Sequence, residues 1–291
     1  MKTNIDCFPC TINQAVRICN TLNIEDDVKY DLVIKVMDML KEAKLEKSSP
    51  LLTKKVWDLI IDFIGIRDPY RDLKTFYNSE MMALENEMKY TIDRASDRLK
   101  ASMKIAIAGN LIDFGVMQEL THSMIIEKIR KVEDGDLAID HSQYLFDALK
   151  TAQSLLYIGD NCGEIVFDKM FIEQLKQEYP ALKITFVVRG APVINDVTRE
   201  DALFVGMDKV AEIANTGENT PGIDFTQTSQ EFNDLFNNSS VVISKGQGNF
   251  ETLANVHRKD LYYLFMAKCH VVANSLGIKS FQYVCKRKNG Q

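Results

Sequence analysis

Residues 154–164 read SLLYIGDNCGE, and they predict the fold class of the chain. Its first five residues form a short apolar run, which is typical of a strand buried on both faces of a parallel sheet. The run ends in Gly159, Asp160 and Asn161, and a helical pattern follows at residues 163–178. A strand, a polar turn and a helix in this order predict an α/β unit with polar side chains at the carboxyl end of the strand.

The same alternation continues towards the end of the chain. We expect strands at residues 184–188, 240–244 and 261–266, and a short edge strand at residues 283–284. Continuous apolar strands separated by helices form parallel sheets that are covered on both faces. The pattern therefore predicts an α/β fold whose parallel-core sheet is flanked by helices in a Rossmann-like arrangement.

Before residue 150 the pattern is helical. Apolar residues at three- and four-residue steps predict amphipathic helices at residues 26–45, 56–64 and 73–99. The proline of Asp68-Pro69-Tyr70 predicts a break, because proline disfavours helical geometry in the residue before it. Residues 104–111 fit a strand or a buried helix by periodicity, and we favour a helix.

The change of character predicts a helical N-terminal part at residues 1–150 and an α/β part at residues 151–291. No glycine- or serine-rich linker separates them, so we expect the two parts to pack together, and they could form one domain.

The composition narrows the class of protein. The chain has 291 residues with 46% hydrophobic and 26% charged residues, which are ordinary globular proportions. A net charge of -6 argues against a nucleic-acid binder. The sequence shows neither a signal peptide nor the roughly 20 apolar residues that span a bilayer. We expect a cytoplasmic protein with no membrane or nucleic-acid partner, whose oligomeric state the sequence does not predict.

Polar residues follow three of the expected strands. Asp160 and Asn161 follow the first, Asp196 lies after the second, and residues 245–248 (KGQG) follow the third. Ligands bind outside the carboxyl ends of parallel strands, so these groups should converge. Carboxylate and amide oxygens suit a hard divalent cation, and a lysine beside glycine N–H groups suits a phosphoryl group. Each segment alone could be an ordinary turn or helix cap, and their shared location favours a site.

Several segments in series resemble signatures of the damage-control phosphatase family, formerly a domain of unknown function. They are residues 160–168 (DNCGEIVFD), 192–198 (PVINDVT), 245–251 (KGQGNFE), 68–70 (DPY), 108–115 (AGNLIDFG), 7–10 (CFPC) and 267–269 (AKC). The resemblance covers nearly the whole chain and is closest to the stand-alone prokaryotic branch with an N-terminal cysteine pair. One departure is Cys162, where we expect a small residue such as alanine.

The resemblance implies a metal-dependent phosphoric monoester hydrolase that acts on small phosphorylated metabolites, often damaged ones. It implies manganese, cobalt, nickel or magnesium as the cofactor and Asp160, Asn161 and Asp196 as the metal ligands. It also implies Lys245 as the fourth catalytic residue, which meets the phosphate. We expect water rather than Asp160 to attack, because the Asp-x-Asp of phospho-aspartyl phosphatases has Cys162 at its third position here.

Further residues are expected to bind the substrate: Asn110, Asp113, Glu164, Gly246, Gly248 and Asn249. Asn110 and Asp113 would reach the site from the helical part, or they form a buried polar pair that satisfies backbone groups. Glu164 would orient the substrate or a metal-bound water, or it favours a helix N-terminus by its charge.

The spacing of Cys7 and Cys10 is that of half a zinc site. A structural zinc site normally needs four ligands, and Cys269 and His270 could supply the other two if the ends of the chain meet. The alternative is that these cysteines behave as small buried apolar residues. A thioredoxin-type redox pair fits less well, because no βαβ pattern surrounds the motif.

Two other functions remain open from the sequence. A carboxyl methyltransferase would place a nucleoside methyl donor at the turn at residues 159–163, although this turn has less glycine than such loops need. A non-catalytic metal- or metabolite-binding protein is the second alternative.

Overall fold

The computed structural model describes residues 1–111 and 122–288. The strands within these ranges are β1 (Ile139–Asp140), β2 (Ser154–Ile158), β3 (Lys183–Val188), β4 (Glu212–Asn215), β5 (Val241–Lys245), β6 (Leu261–Ala267) and β7 (Gln282–Arg287). In the described part of the chain they form one seven-stranded sheet with the order β1-β7-β6-β5-β2-β3-β4. Only β6 and β7 pair in antiparallel fashion among the described strands. The fold is therefore α/β with a parallel core, as the sequence predicts.

Helices precede the sheet and connect its strands. They are α1 (Cys7–Thr21), α2 (Asp26–Lys41), α3 (Ser49–Ile64), α4 (Arg71–Ala83), α5 (Glu85–Arg94), α6 (Arg98–Ala108), α7 (His122–Asp134), α8 (Ser142–Leu149), α9 (Glu164–Glu178), α10 (Arg199–Phe204), α11 (Gln230–Asn238), α12 (Gln247–Leu253) and α13 (His270–Leu276). Short 3₁₀ helices lie at Gly109–Leu111 and Met207–Lys209. Within the described ranges, no helix combines the length and apolar character that a membrane span needs.

The alternation of side chains along β2 explains why this strand is apolar throughout. Leu155 and Tyr157 enter one hydrophobic cluster, whereas Leu156 and Ile158 enter another on the opposite face of the sheet. Successive side chains of a strand point to opposite faces, so a strand covered on both faces needs apolar residues at every position. A third cluster lies among the helices α1, α2 and α3.

The helical part rests directly on the sheet layer. Helix α6 packs along α9, and its residues from Met103 to Ala108 are nearly all buried. The approach is close, because a Cβ at Gly109 would lie 3.0 Å from a ring carbon of Phe167. Residues 104–108 thus complete a buried helix, which confirms the preference for a helix there.

Three sequence expectations about the elements need correction. The expected helix at 73–99 is two helices, α4 and α5, that meet at Leu84, and the second ends at Arg94. The short strands β1 and β4 were not expected. β7 is longer than expected and lies between β6 and β1 rather than at the edge. The division at residue 150 stays a prediction, and β1 lies before it.

Candidate metal and phosphate site

The carboxyl ends of β2, β3 and β5 open onto a cavity of about 570 Å³. Asp160 and Asn161, which follow β2, and Asp196, which follows β3, line this cavity. Arg17 of α1 and Thr53 of α3 contribute to its wall from the helical part. The position agrees with the rule that ligands of open α/β sheets bind beyond the carboxyl ends of the strands.

Backbone pairing holds the Asp160 and Asp196 segments together. Asn161 and Asp196 form an isolated antiparallel bridge, and the Val197 N–H donates to the Asp160 carbonyl at 2.9 Å. The spacing between the side chains of the two segments is therefore set by hydrogen-bonded backbone rather than by two independent loops.

Gly246 leaves the space that the Asp160 carboxylate occupies. Its φ is +79°, and a Cβ added there would lie 1.9 Å from Asp160 Oδ2. Only glycine therefore fits this position without displacing the carboxylate. Gly248 lines the cavity itself, so it lies where a substrate N–H contact was expected.

Amide groups surround the Asp160 carboxylate. Asn161 Nδ2 and Asn110 Nδ2 donate to Asp160 Oδ2 at 2.7 and 3.1 Å, and both also donate to Glu164 Oε2. Asp196 Oδ2 instead accepts from Arg189 Nε at 2.7 Å. Both acids are thus held in defined orientations at the cavity floor.

Burial is the main cause of the raised pKa values of the Asp160 and Asp196 carboxyl groups. It raises the pKa of Asp160 to about 8, and the negative charges of Glu164 and Asp196 add to the rise. Burial also raises the pKa of Asp196, against the opposing charge of Arg189. Because a bound cation favours the ionised forms, a divalent ion at this place would offset the unfavourable charge.

The donor set fits a hard divalent cation. It comprises two carboxylates and one amide oxygen, and hard cations complete such sets with water or substrate oxygens. Across residues 1–111 and 122–288, no group of three or more His, Cys, Asp or Glu side chains has metal-binding spacing. This result does not conflict with the expected metal ligands, because the third of them, Asn161, is not one of these four residue types.

Lys245 does not reach the cavity, contrary to the expectation from the sequence. Its side chain is 0% exposed, and its ammonium donates to the Ala106 carbonyl at 2.9 Å, to Glu164 Oε1 at 2.6 Å and to Asp168 Oδ1 at 2.5 Å. A lysine ammonium has three donors, so these contacts engage all of them. In this geometry Lys245 stabilises buried acids and has no donor left for a phosphate.

Other residues expected to bind substrate also lie beneath the cavity floor. Asn110, Glu164 and Asn249 are fully buried. Asn249 accepts from Arg189 Nη2 at 2.9 Å and donates to the carbonyl of Lys245 at 2.8 Å. These side chains support the groups that line the cavity. Asp113 lies outside the described residues.

Two positively charged residues that line the cavity, Lys268 and Arg17, were not identified from the sequence. Lys268 follows β6 and lines the cavity, and its positive charge opposes the rise in the pKa of Asp160 that burial and the neighbouring acids cause. The strand-end rule could have found it, because it follows an expected strand. Arg17 lies in α1, far from the sheet in sequence, and no local signal marks it.

The three cysteines of the expected zinc site lie in one neighbourhood. Cys7 and Cys10 belong to the first turn of α1, and Cys269 caps α13. Burial raises the pKa of the Cys10 thiol, and the nearby Cys7 and Cys269 thiols add to this rise. Within residues 1–111 and 122–288, these cysteines are not grouped as a metal site requires, so structural zinc stays a prediction. The zinc content of Cys7→Ser protein checks it: one zinc lost per chain would support the site.

The fold and the site define a class of α/β proteins that carry a carboxylate and amide oxygen set at the carboxyl edge of a parallel sheet. The sequence profile of the damage-control phosphatase ARMT1-like domain matches residues 3–284. The chain belongs to this family, which confirms the resemblance drawn from its motifs.

Archaeal relatives are similar to the chain over nearly their whole length. A Pyrococcus horikoshii protein named damage-control phosphatase PH1575 is 32% identical, over 99% of this chain and 98% of its own. An Archaeoglobus fulgidus protein named damage-control phosphatase is 27% identical, over 98% and 99%. An uncharacterized protein of Methanocaldococcus jannaschii, MJ0202, is 33% identical, over 96% and 93%.

A solved structure is similar to the fold as a whole. The crystal structure of a DUF89 family protein from Pyrococcus horikoshii, at 2.04 Å resolution, has a TM-score of 0.91 at 30% identity. The alignment covers 99% of this chain and 100% of that chain. The helical part and the sheet therefore have a common arrangement in the two proteins.

Proposed function

We propose that this protein is a metal-dependent phosphatase that hydrolyses small phosphorylated metabolites. The observation that carries the proposal is the backbone-bridged set of Asp160, Asn161 and Asp196 at the floor of a polar cavity. Membership of the damage-control phosphatase family and the names of two relatives support the reaction class.

Asp160, Asn161 and Asp196 would hold Mn²⁺, Co²⁺, Ni²⁺ or Mg²⁺ through oxygen atoms. When bound, such an ion supplies Lewis-acid stabilisation of a phosphoryl oxygen and a template for in-line attack. Lys268, which lines the same cavity, would bind a second phosphoryl oxygen and stabilise the charge that develops in the transition state. We propose water as the attacking group, with the Asp160 carboxylate kept in place by its two amide donors.

The far wall of the cavity would bind the rest of the substrate. It is formed by side chains of α1 and α3 that are mostly polar: Gln14, Arg17, Asn20, Thr21, Ser49 and Thr53. A volume of about 570 Å³ is within the usual range for small-molecule sites. A hydrophilic metabolite of modest size therefore fits better than a polymer or a lipid.

Hydrolysis of p-nitrophenyl phosphate tests the reaction class. Protein stripped with a chelator should be inactive, and addition of Mn²⁺, Co²⁺, Ni²⁺ or Mg²⁺ in turn should restore phosphate release. A panel of phosphorylated metabolites under the best metal would then identify the substrate. Metal binding without release of phosphate from any compound would favour a binding protein, and a thermal shift with a methyl donor alone would favour a methyltransferase.

A further inference from the structure

Asn161 can hold a cation only through its amide oxygen, so the orientation of its amide decides whether the site works. Its Nδ2 group donates to Asp160 Oδ2 at 2.7 Å and to Glu164 Oε2 at 3.2 Å. Both N–H bonds are therefore directed at carboxylates. The opposite end of the amide, Oδ1, is the end left for the cavity that Asn161 lines.

Glu164 is the residue that ties this amide to the interior. Its side chain is 0% exposed. Oε1 accepts from Lys245 Nζ at 2.6 Å, whereas Oε2 accepts from Asn110 Nδ2 at 2.9 Å and from Asn161 Nδ2. Donors thus approach both oxygens. A carboxylate satisfies this pattern, but an amide side chain would not, because one of its ends is itself a donor.

The partners of Glu164 are themselves held in place. The Lys245 ammonium is shared among Glu164, Asp168 and the Ala106 carbonyl. Asn110 Oδ1 accepts from the Met266 backbone N–H at 3.2 Å, which directs its Nδ2 group towards Glu164. A continuous chain of hydrogen bonds therefore runs from the backbone of α6 and β6 to the Asn161 amide.

We propose that Glu164, held by Lys245 and Asn110, is a positioning residue that selects the Asn161 orientation in which Oδ1 faces the metal. The inference rests on the proposed function, since it requires a cation at Asp160, Asn161 and Asp196. Lys245 then acts by keeping the Glu164 carboxylate in place rather than by contact with phosphate. If Glu164 did not accept from Nδ2, the amide could rotate and present its N–H groups to the cation.

Titration calorimetry of metal-free protein with Mn²⁺ tests the proposal through two matched variants. Glu164→Gln and Asp168→Asn each remove one carboxylate from the Lys245 ammonium, and both residues lie in α9. Of these two residues, Glu164 is the one that accepts from the Asn161 amide. We expect Glu164→Gln to weaken Mn²⁺ binding by about 10- to 100-fold, and Asp168→Asn to change it by no more than about threefold.

Equal weakening in both variants, or unchanged affinity in Glu164→Gln, would overturn the inference. Glu164→Asp serves if the glutamine variant does not fold, because it keeps the charge but is too short to reach both Lys245 and the amides. It should weaken Mn²⁺ binding by at least about tenfold, and wild-type affinity in this variant would also overturn the inference. If the unmodified protein binds no divalent ion, the proposed function itself fails. If it binds Mn²⁺ and the paired variants agree, only the role of Glu164 fails.

Discussion

Two pairs of buried acids lie side by side at one edge of the sheet, and their charges are balanced in different ways. The cavity acids, Asp160 and Asp196, line the open cavity. The core acids, Glu164 and Asp168, lie beneath it and share the Lys245 ammonium. Asp160 belongs to the same motif, residues 160–168, as both core acids, so neither residue type nor motif separates the pairs.

The difference lies in which cation compensates the charge. The core acids have a lysine supplied by the chain, and every donor of that lysine is engaged. Asp160 is held by amides, and burial together with its acidic neighbours raises its pKa to about 8. Asp196 also lines the cavity but pairs with Arg189 at 2.7 Å, so the contrast is clearest between Asp160 and the core acids. Asp160, held mainly by neutral donors, is the acid best placed to bind a cation from outside, whereas Glu164 and Asp168 are paired with a lysine of the chain and build the interior.

Replacement of one acid from each pair should give the largest difference, with one variant losing activity and the other losing stability. Asp160→Asn should lower kcat/KM for p-nitrophenyl phosphate by about 10³-fold or more, because it removes one of the proposed metal ligands. Its metal-free stability should not fall, since the buried charge is unfavourable there. Asp168→Asn should keep kcat/KM within about tenfold and lose about 1–3 kcal/mol in urea unfolding. Full activity in Asp160→Asn would break the distinction between the two pairs.

The Gly246→Ala variant tests whether activity and Mn²⁺ binding depend on the position of the Asp160 carboxylate. Gly246→Ala places a Cβ 1.9 Å from Asp160 Oδ2, so we expect an activity loss of about 100-fold or more and weaker Mn²⁺ binding. Gly277→Ala is the matched control, because Gly277 also has a positive φ of +69° but nothing within 4 Å of an added Cβ. An equal loss of activity in both variants would mean that backbone strain, rather than displacement of the carboxylate, is the cause. Unchanged activity in Gly246→Ala would mean that the position of the carboxylate does not matter.

Substitutions of the two lysines should have different effects: replacing Lys268 should lower activity, whereas replacing Lys245 should lower stability. Lys268→Gln should lower kcat/KM by about 10- to 100-fold with little change in melting temperature, because Lys268 lines the cavity. Lys245→Met should cost about 3–5 kcal/mol of stability, because it leaves buried acids without their cation. The opposite result, a stable Lys245 variant with a selective loss of phosphate affinity, would restore the role expected from the sequence.

The core acids should also leave a pH signature in the metal-free protein. Burial, with a contribution from Glu164 and against the charge of Lys245, raises the pKa of Asp168 from 3.8 to about 7. Between these values the folded state binds more protons than the unfolded state, so the contribution of Asp168 to stability falls as pH rises and is lost above about pH 7.

Asp168→Asn removes this titration and so isolates its effect. In urea unfolding at about pH 5, 6 and 7, the stability of wild type relative to Asp168→Asn should fall by up to about 1.4 kcal/mol per pH unit. A difference that stays constant or increases with pH would contradict the raised pKa.

The sequence predicts the strands that are continuous apolar runs and misses those that depend on their partners. β2, β3, β5 and β6 are long and buried, so composition marks them. β1 has two residues and β4 reads EIAN, so neither carries an apolar pattern. They are strands because they pair with β7 and β3, which is a property of the tertiary structure.

The cavity acids follow β2 and β3 and line the cavity, as expected from the sequence, whereas the strand before Lys245 was expected to end one residue too early. The expected strand ended at Ser244, but β5 continues to Lys245. Alternation then places Lys245 on the same face as Ile243, which enters the hydrophobic cluster shared with α6 and α9. The strand-end rule identifies an edge of the sheet, and only the exact end of the strand tells which way the side chain points.

The most direct test is a crystal of the protein soaked in Mn²⁺ and measured for anomalous scattering. We expect one strong anomalous peak within bonding distance of Asp160, Asn161 and Asp196, with Lys245 still bound to the core acids. A peak only at the core acids, or only at Cys7, Cys10 and Cys269, would contradict the proposed metal site. The absence of any peak in protein that hydrolyses p-nitrophenyl phosphate with Mn²⁺ would also contradict it.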